Sequence, residues 1–273
     1  MQQKDPALGA ASGAPKLSWA IPCDCADKDR STRALARSRI PRRYEHCNLD
    51  NFETDSWPLD QKEYPHAALW QRSLTEAKIV VEGFVRNFPG ANDTGLLLMG
   101  PCGVGKTHLA VAALRQLMDR GHEGLFYDYR ELLKELQASY DPDHPVSEMS
   151  VLEPVLNADV LLIDDIGASK PSPWALETVG HILNKRYNEN RVTLLTTNYL
   201  DRVEGSPQGQ RLPSGQAIAS YREETLTDRL GQRVRSRLYE MCRTVEMISG
   251  DYRSEMRRNR GAGAPSLKIT TRR

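Results

Sequence analysis

The sequence is poor in the features that mark secreted, membrane-bound or strongly charged proteins. Its five cysteines are an odd, scattered set without a signal peptide, which argues against a disulfide framework and predicts a cytoplasmic protein. No apolar run approaches the length of a bilayer span, so we expect no membrane contact. The 37 basic and 36 acidic residues leave a net charge of +1, which provides no overall field to attract nucleic acid or a membrane.

The charges are nevertheless unevenly distributed. Arginines cluster in residues 30–43, and basic residues crowd residues 253–273. Such runs form either solvated tails or contacts with nucleic acid, and the sequence leaves both open. We expect residues 1–39 to be a disordered or short basic segment, residues 40–255 to form one α/β domain, and residues 256–273 to be a flexible basic tail.

Three of the cysteines, Cys23, Cys25 and Cys47, lie near the start of the chain. Structural zinc takes four ligands, usually as two pairs with about two to four residues between the partners of a pair. One residue separates Cys23 from Cys25, and no clear second pair follows. This spacing argues against a zinc site.

The strongest functional signal is the segment GPCGVGKT at residues 100–107. It follows an apolar run and precedes a helical pattern, which is the strand–loop–helix order of a phosphate-binding loop. Its glycines let backbone N–H groups point inward, and the helix N-terminus adds positive charge. Lys106 is predicted to bind the β- and γ-phosphates of a nucleotide, and Thr107 to ligate Mg²⁺. The predicted nucleotide-binding residues are Gly100, Pro101, Cys102, Gly103, Val104, Gly105, Lys106, Thr107 and His108.

Polar side chains follow two further buried strands. Residues 158–165 end in Asp164 and Asp165, and residues 191–198 end in Asn198. Because the carboxyl ends of parallel strands meet at one edge of a sheet, we expect these side chains beside the phosphate loop. Asp164 is then placed to hold Mg²⁺, Asp165 to orient the attacking water, and Asn198 to reach the γ-phosphate or that water.

The apolar periodicity alternates between strand and helix along the chain, which is typical of a parallel α/β sheet. Helices are predicted for residues 71–87, 106–120, 129–140, 147–156, 174–187 and from residue 226 onward. Strands are predicted for residues 95–99, 124–127, 158–165, 191–198 and 244–248, an ordered strap for residues 40–52, and a mobile loop for residues 204–220.

The last predicted helix carries two rows of side chains after a capping box at Thr225 and Asp228. Apolar residues repeat every four positions and predict a buried face, namely Leu226, Leu230, Val234 and Leu238. A second row, Arg229, Arg233 and Arg237, is expected to be displayed beside them. Arginines this close repel one another unless an anion faces them. The row is therefore either a solvated face or a site where one arginine reaches a phosphate on a neighbouring subunit.

Several motifs coincide with those of one ATPase family. They are GPCGVGKTHLA (100–110), LLIDDIG (161–167), TTNY (196–199), DRLG (228–231) with RL (237–238), and DYR (251–253). Over residues 40–255 the chain resembles the bacterial DnaC/IstB-type AAA+ ATPases, and among them the DnaC-like replicative helicase loaders. The resemblance implies a three-layer AAA+ (ASCE P-loop) domain without a C-terminal helical lid. Its parallel five-stranded sheet would have the order 5-1-4-3-2.

Roles follow from this resemblance position by position. Lys106 and Thr107 match the Walker A pair, Asp164 the Walker B metal residue, Asp165 the catalytic acid and Asn198 sensor 1. The resemblance further implies ATP bound between subunits of a homo-oligomer.

Three arginines and one helical pair also acquire roles from the resemblance. Arg237 matches an arginine finger that acts in trans, with Arg233 beside it, and Arg253 matches the sensor 2 arginine. The helical pair at residues 129–156 matches the insertion that lines single-stranded DNA in these assemblies.

The function predicted in this way is ATP-dependent loading or remodelling of a replicative helicase on single-stranded DNA. Two departures bear on it: Asp165 stands where most AAA+ enzymes have Glu, and the N-terminal segment is short. The alternatives are a transposition helper ATPase of the IstB type, a P-loop small-molecule kinase, and a nucleotide-gated adaptor that does not hydrolyse ATP. The double carboxylate on one strand favours a hydrolase over a kinase.

Overall fold

A computed structural model describes residues 34–55, 64, 66–90, 95–141, 145, 147–201 and 224–254. These residues form one parallel five-stranded sheet in the order β5-β1-β4-β3-β2, which confirms the predicted fold and strand order. The strands are Gly95–Met99 (β1), Gly124–Asp128 (β2), Val160–Asp164 (β3), Val192–Thr197 (β4) and Arg243–Glu246 (β5).

The helices and strands follow one another along the chain in the predicted order. The longer ones are Ala67–Asn87 (α1), Lys106–Asp119 (α2), Tyr129–Ala138 (α3), Glu148–Asn157 (α4), Pro173–Asn188 (α5) and Leu226–Met241 (α6). A 3₁₀-helix, Arg42–Tyr44, precedes them. Helix α1 begins at Ala67, before the predicted residue 71, and Ser147 caps α4 by accepting a hydrogen bond from Ser150 N.

The strands alternate their side chains between two apolar layers, because successive residues of a strand point to opposite faces of the sheet. Leu96 and Leu98 of β1 face the layer that holds α1 and α2. Leu97 and Met99 face the layer that holds α3, α4, α5 and α6. The sheet is therefore covered on both faces, as parallel sheets are, and its polar residues collect at the carboxyl ends of the strands.

The predicted strap packs against the domain. Ile40, Cys47, Leu49 and Phe52 are buried in the α1–α2 layer, and Phe126 N donates a 2.7 Å hydrogen bond to Ser38 O beside edge strand β2. The segment at residues 23–25, the loop at 204–220 and the tail at 256–273 lie outside the described residues. Within the described ranges, no helix combines the length and apolar character that spanning a membrane requires.

The prediction of three displayed arginines on α6 is wrong for one of them. Leu226, Leu230, Val234 and Leu238 are all buried as expected, but Arg229 is also buried, with 8% exposure. Gly231 has φ 73° and ψ 158°, a conformation that glycine adopts without steric cost. The helix is kinked there, so the four-residue period does not continue from Arg229 to Arg233.

Arg186 on α5 is fully buried and joins the amino end of β4 to the end of α4. Its guanidinium donates to Val155 O and Ala158 O, both at 2.9 Å, to Val192 O, and at 3.0 Å to Thr193 Oγ1. The side chain therefore provides hydrogen-bond donors to buried backbone carbonyls.

Replacing Arg186 with Met should lower the free energy of unfolding by about 3–5 kcal/mol, because several buried acceptors each lose a donor worth about 1–3 kcal/mol. Urea denaturation followed by circular dichroism measures this loss. Lys185→Met on the same helix is the control, because its exposed ion pair with Glu189 contributes at most about 0.5 kcal/mol. Equal stability of the two variants would contradict the structural role of Arg186.

Candidate active site

The phosphate loop connects the end of β1 to the start of α2. Its backbone is left-handed at Gly103 (φ 83°) and Gly105 (φ 99°). A Cβ at Gly103 would lie 2.0 Å from Asp251 Oδ1, and one at Gly105 would lie 2.6 Å from the Phe52 ring. The loop is thus held between the strap and the segment after β5. It forms one wall of a cavity of about 360 Å³ at the carboxyl edge of the sheet.

Lys106 lies at the centre of this cavity wall with 6% exposure. Its Nζ donates to Gly100 O at 2.8 Å, to Pro101 O at 2.7 Å and to Asn198 Oδ1 at 2.7 Å. Burial lowers the pKa of Lys106 to about 8. The ammonium is therefore held by neutral oxygens that a polyphosphate anion can replace with stronger, charge-assisted partners.

Asp164 and Thr107 meet beside Lys106. Asp164 Oδ1 accepts a 2.8 Å hydrogen bond from Thr107 Oγ1 and a 2.6 Å hydrogen bond from Thr196 Oγ1. Burial raises the pKa of Asp164, and these two hydrogen bonds oppose the rise. A hydroxyl and a carboxylate next to a phosphate loop are oxygen donors of the kind Mg²⁺ takes alongside substrate phosphates. The residues therefore fit this ion.

Asp165 and Asn198 complete a chain of contacts across the cavity. Asn198 Nδ2 donates to Asp165 Oδ1 at 2.5 Å while its Oδ1 accepts from Lys106. Asp165 has φ 58°, and its N–H donates to Thr196 Oγ1 at 2.8 Å. Burial raises the pKa of Asp165, and the charge of Arg130 opposes this rise.

The three arginines predicted to act in catalysis lie at two different positions in the structure. Arg253 lines the same cavity as Lys106 and Asp165. Arg233 and Arg237 instead line a groove of about 1040 Å³ between α5 and α6. Arg237 lies over the ring of Tyr187 at 4.3 Å and donates to Asn184 and Glu240. These two arginines are outside the cavity of their own chain.

Four further predicted residues line the cavity, namely Cys102, Gly103, Gly105 and His108, whereas Gly100, Pro101 and Val104 are not part of its lining. Cys102 is exposed there. His108 Nε2 lies 3.0 Å from Asn48 O and 2.9 Å from Asn51 Oδ1, so its ring joins α2 to the strap. Burial lowers the pKa of His108.

Sequence reasoning did not assign Thr196, Asp128, Arg130 or Arg229 to the site. Thr196 could have been found, because it lies at the carboxyl end of β4 and bonds both aspartates. Asp128 could also have been found, since it ends β2 in register with Asp164. No sequence signal places Arg130 and Arg229 against the residues that follow Asp165, because these contacts join segments far apart in the chain.

A family model described as IstB-like ATP binding protein matches residues 67–204. A solved structure of the DnaC helicase loader superposes with a TM-score of 0.56 at 31% identity, covering 76% of this chain and 100% of that one. Two curated relatives are the uncharacterized protein YqaM of Bacillus subtilis and the replicative helicase loader DnaC of Escherichia coli K12. Their identities are 24% and 25%, over 67% and 61% of this chain. The match spans 55% of YqaM and 61% of DnaC, less than two thirds of either relative.

Proposed function

Because the chain belongs to the DnaC/IstB-like AAA+ ATPases, within the family of IstB-like ATP binding proteins, we propose that it hydrolyses ATP to load or remodel a replicative helicase on DNA. The proposal of ATP hydrolysis rests on a series of hydrogen bonds that links Lys106 through Asn198 to Asp165. It joins a phosphate-binding cation, a neutral hydrogen-bonding group and a carboxylate in one cavity.

In this proposal each side chain has a separate task. Lys106 binds the β- and γ-phosphates, and Thr107 with Asp164 would hold Mg²⁺, which neutralises phosphate charge when bound. Asp165 accepts a hydrogen bond from the attacking water and orients it, while Asn198 holds the Asp165 carboxylate and the γ-phosphate at a fixed separation. Arg253, which follows β5 in the chain, adds positive charge to the cavity wall.

The proposed partner is a replicative helicase, and the proposed nucleic acid is single-stranded DNA. The helicase is supported by the DnaC loaders to which the chain is similar. The helical pair α3–α4 is the proposed DNA contact. It connects β2 to β3, so its first turn begins beside the carboxylates of the cavity.

Purified protein, ATP and the replicative helicase of the source organism test this function on a closed single-stranded DNA circle. Helicase retained on the circle after gel filtration, with ATP required, would support loading. Stimulation of phosphate release by duplex DNA but not by single strands, without helicase binding, would favour a transposition helper instead. Phosphate transfer to a metabolite rather than to water would identify a kinase.

Arg237→Ala should lower the ATPase rate about 10³-fold or more while nucleotide affinity is kept, because we propose that Arg237 reaches the phosphates of a neighbouring subunit. Arg235→Ala on the same helix is the matched control, since Arg235 pairs with Asp201 within its own chain. Mixing Arg237→Ala with Lys106→Ala subunits should restore part of the activity, because one interface in the mixture then has both groups intact. Absence of any restored turnover would contradict action in trans.

A further inference from the structure

The residues that follow the second aspartate form a tight turn, which we name the acid loop (residues 165–168). Its backbone is left-handed at Asp165 (φ 58°) and at Gly167 (φ 87°). On one side the loop is fastened to β4: Ile166 N donates to Thr196 O at 2.8 Å, and Thr197 Oγ1 donates to Ile166 O at 2.8 Å. The conformation that presents the Asp165 carboxylate therefore depends on outside contacts.

Two arginines contact the other side of the acid loop: Arg130 donates to Ala168 O at 3.2 Å, and Arg229 makes the more extensive contacts. Its Nε donates to Gly167 O at 2.9 Å, and its Nη2 donates to Ala168 O at 3.3 Å. A Cβ at Gly167 would lie 3.3 Å from Arg229 Cβ and 3.4 Å from the Tyr199 ring. The arginine and this ring are thus packed directly on the loop.

The guanidinium of Arg229 is itself tightly held. It donates at 2.7 Å to Tyr199 Oη, lies 4.7 Å from the centre of that ring, and pairs with Glu224 at 3.1 Å. Tyr199 follows Asn198 directly in the chain, so the same arginine contacts the segment after Asp165 and the residue after Asn198, the two residues proposed to flank the attacking water. A planar fork of donors suits this task better than a single ammonium.

Arg229 also lies in the first turn of α6, ahead of the kink at Gly231. Beyond the kink, the same helix carries Arg233 and Arg237 along the groove between α5 and α6. A displacement of α6 caused by a neighbouring subunit would therefore move the donors that fasten the acid loop.

We propose that Arg229 is a positioning residue for ATP hydrolysis: it holds the acid loop so that Asp165 faces the γ-phosphate, and it transmits movements of α6 to that carboxylate. This inference rests on the proposed ATPase function. Arg229 contacts neither nucleotide nor water in this scheme and acts through Asp165. Its loss should therefore change turnover and leave nucleotide binding intact.

The test compares Arg229→Lys with Arg235→Lys, an equally conservative change on the same helix that leaves the acid loop untouched. Arg229→Lys should lower kcat about 10- to 100-fold, because small misplacements of a reacting group carry penalties of that size. Its KM should stay within about twofold of the wild-type value, since binding contacts are unchanged. Arg235→Lys should alter neither constant appreciably.

A double variant separates this role from a general contribution to folding. In the Asp165→Asn background, Arg229→Lys should cause less than about a twofold further loss in single-turnover rate, because residues that act through one group are not additive. A full additional loss in that background, or an unchanged kcat in Arg229→Lys alone, would overturn the inference.

Tyr199→Phe provides a second variant should Arg229→Lys fail to fold. It removes the hydroxyl that accepts from Arg229 but keeps the ring, so kcat should fall about two- to tenfold with KM unchanged. An unchanged kcat in this variant would also count against the inference.

An inactive wild-type protein would refute the proposed function together with the inference, whereas an active wild type with an unaffected Arg229→Lys would refute the inference alone.

Discussion

Asp165→Asn is expected to lower kcat for ATP hydrolysis about 10²- to 10⁴-fold, because we propose that this carboxylate accepts a proton or hydrogen bond from the attacking water. The change is nearly isosteric, so the amide can keep a hydrogen bond to Asn198 and the cavity keeps its shape. ATP affinity should stay within about threefold of the wild-type value, since we propose no phosphate contact for Asp165. Radiolabelled single-turnover hydrolysis and equilibrium binding measure the two quantities.

Asp159→Asn is the matched control for this prediction. Asp159 precedes the amino end of the same strand, where it accepts from Glu123 N and pairs with Arg191, far from the phosphate loop. Its replacement should leave kcat unchanged. A normal rate in Asp165→Asn would assign the attacking water to another residue. A loss of ATP binding in that variant would show that the carboxylate acts on the ground state instead.

Lys106→Ala is expected to weaken ATP binding at least about 100-fold, because the ammonium makes charge-assisted hydrogen bonds worth about 1.5–3 kcal/mol each. The same change removes the donor that holds Gly100 O, Pro101 O and Asn198 Oδ1 together. Calorimetric titration with a non-hydrolysable ATP analogue measures the loss. Lys185→Ala, an exposed lysine on α5, should bind as the wild type does.

The pH dependence of binding provides an independent measure of the same lysine. Burial lowers the pKa of Lys106 to about 8 in the free protein, and bound phosphate raises it again by charge attraction. Affinity should therefore be nearly constant until about one unit below pH 8 and should fall about tenfold per pH unit above pH 8, since only the ammonium binds the anion. The Lys106→Ala variant should show no such slope. A slope of the same size in both would assign the titration to a different group.

Local patterns predicted most of the fold correctly. The phosphate loop, the strands that precede Asp165 and Asn198, and the helical pair between β2 and β3 are all visible in the sequence, because each depends on residue spacing within one short segment. The buried strap was also predictable, since Leu49 and Phe52 are apolar residues in a polar stretch. These elements needed no knowledge of distant parts of the chain.

The burial of Arg229 on α6 was not predicted correctly from the sequence. A period of four residues predicted that Arg229 would be displayed with Arg233 and Arg237, but the left-handed backbone at Gly231 turns the first turn of the helix inward. The gain from bonding two loop carbonyls and Tyr199 stabilises the buried guanidinium. Glycine permits this kink without requiring it, so the sequence alone did not predict it.

The sequence by itself determined the family, because its motifs are read along the chain, and the resemblance to that family implied the order of the strands. The same motifs predict Lys106 as the phosphate-binding lysine. Only the tertiary structure decided which side chains surround the two aspartates. Arg130 and Arg229 come from two separate segments, and their distances to the acid loop are set by the packing of helices on the sheet. Contacts between remote segments depend on the whole core, and no local pattern encodes them.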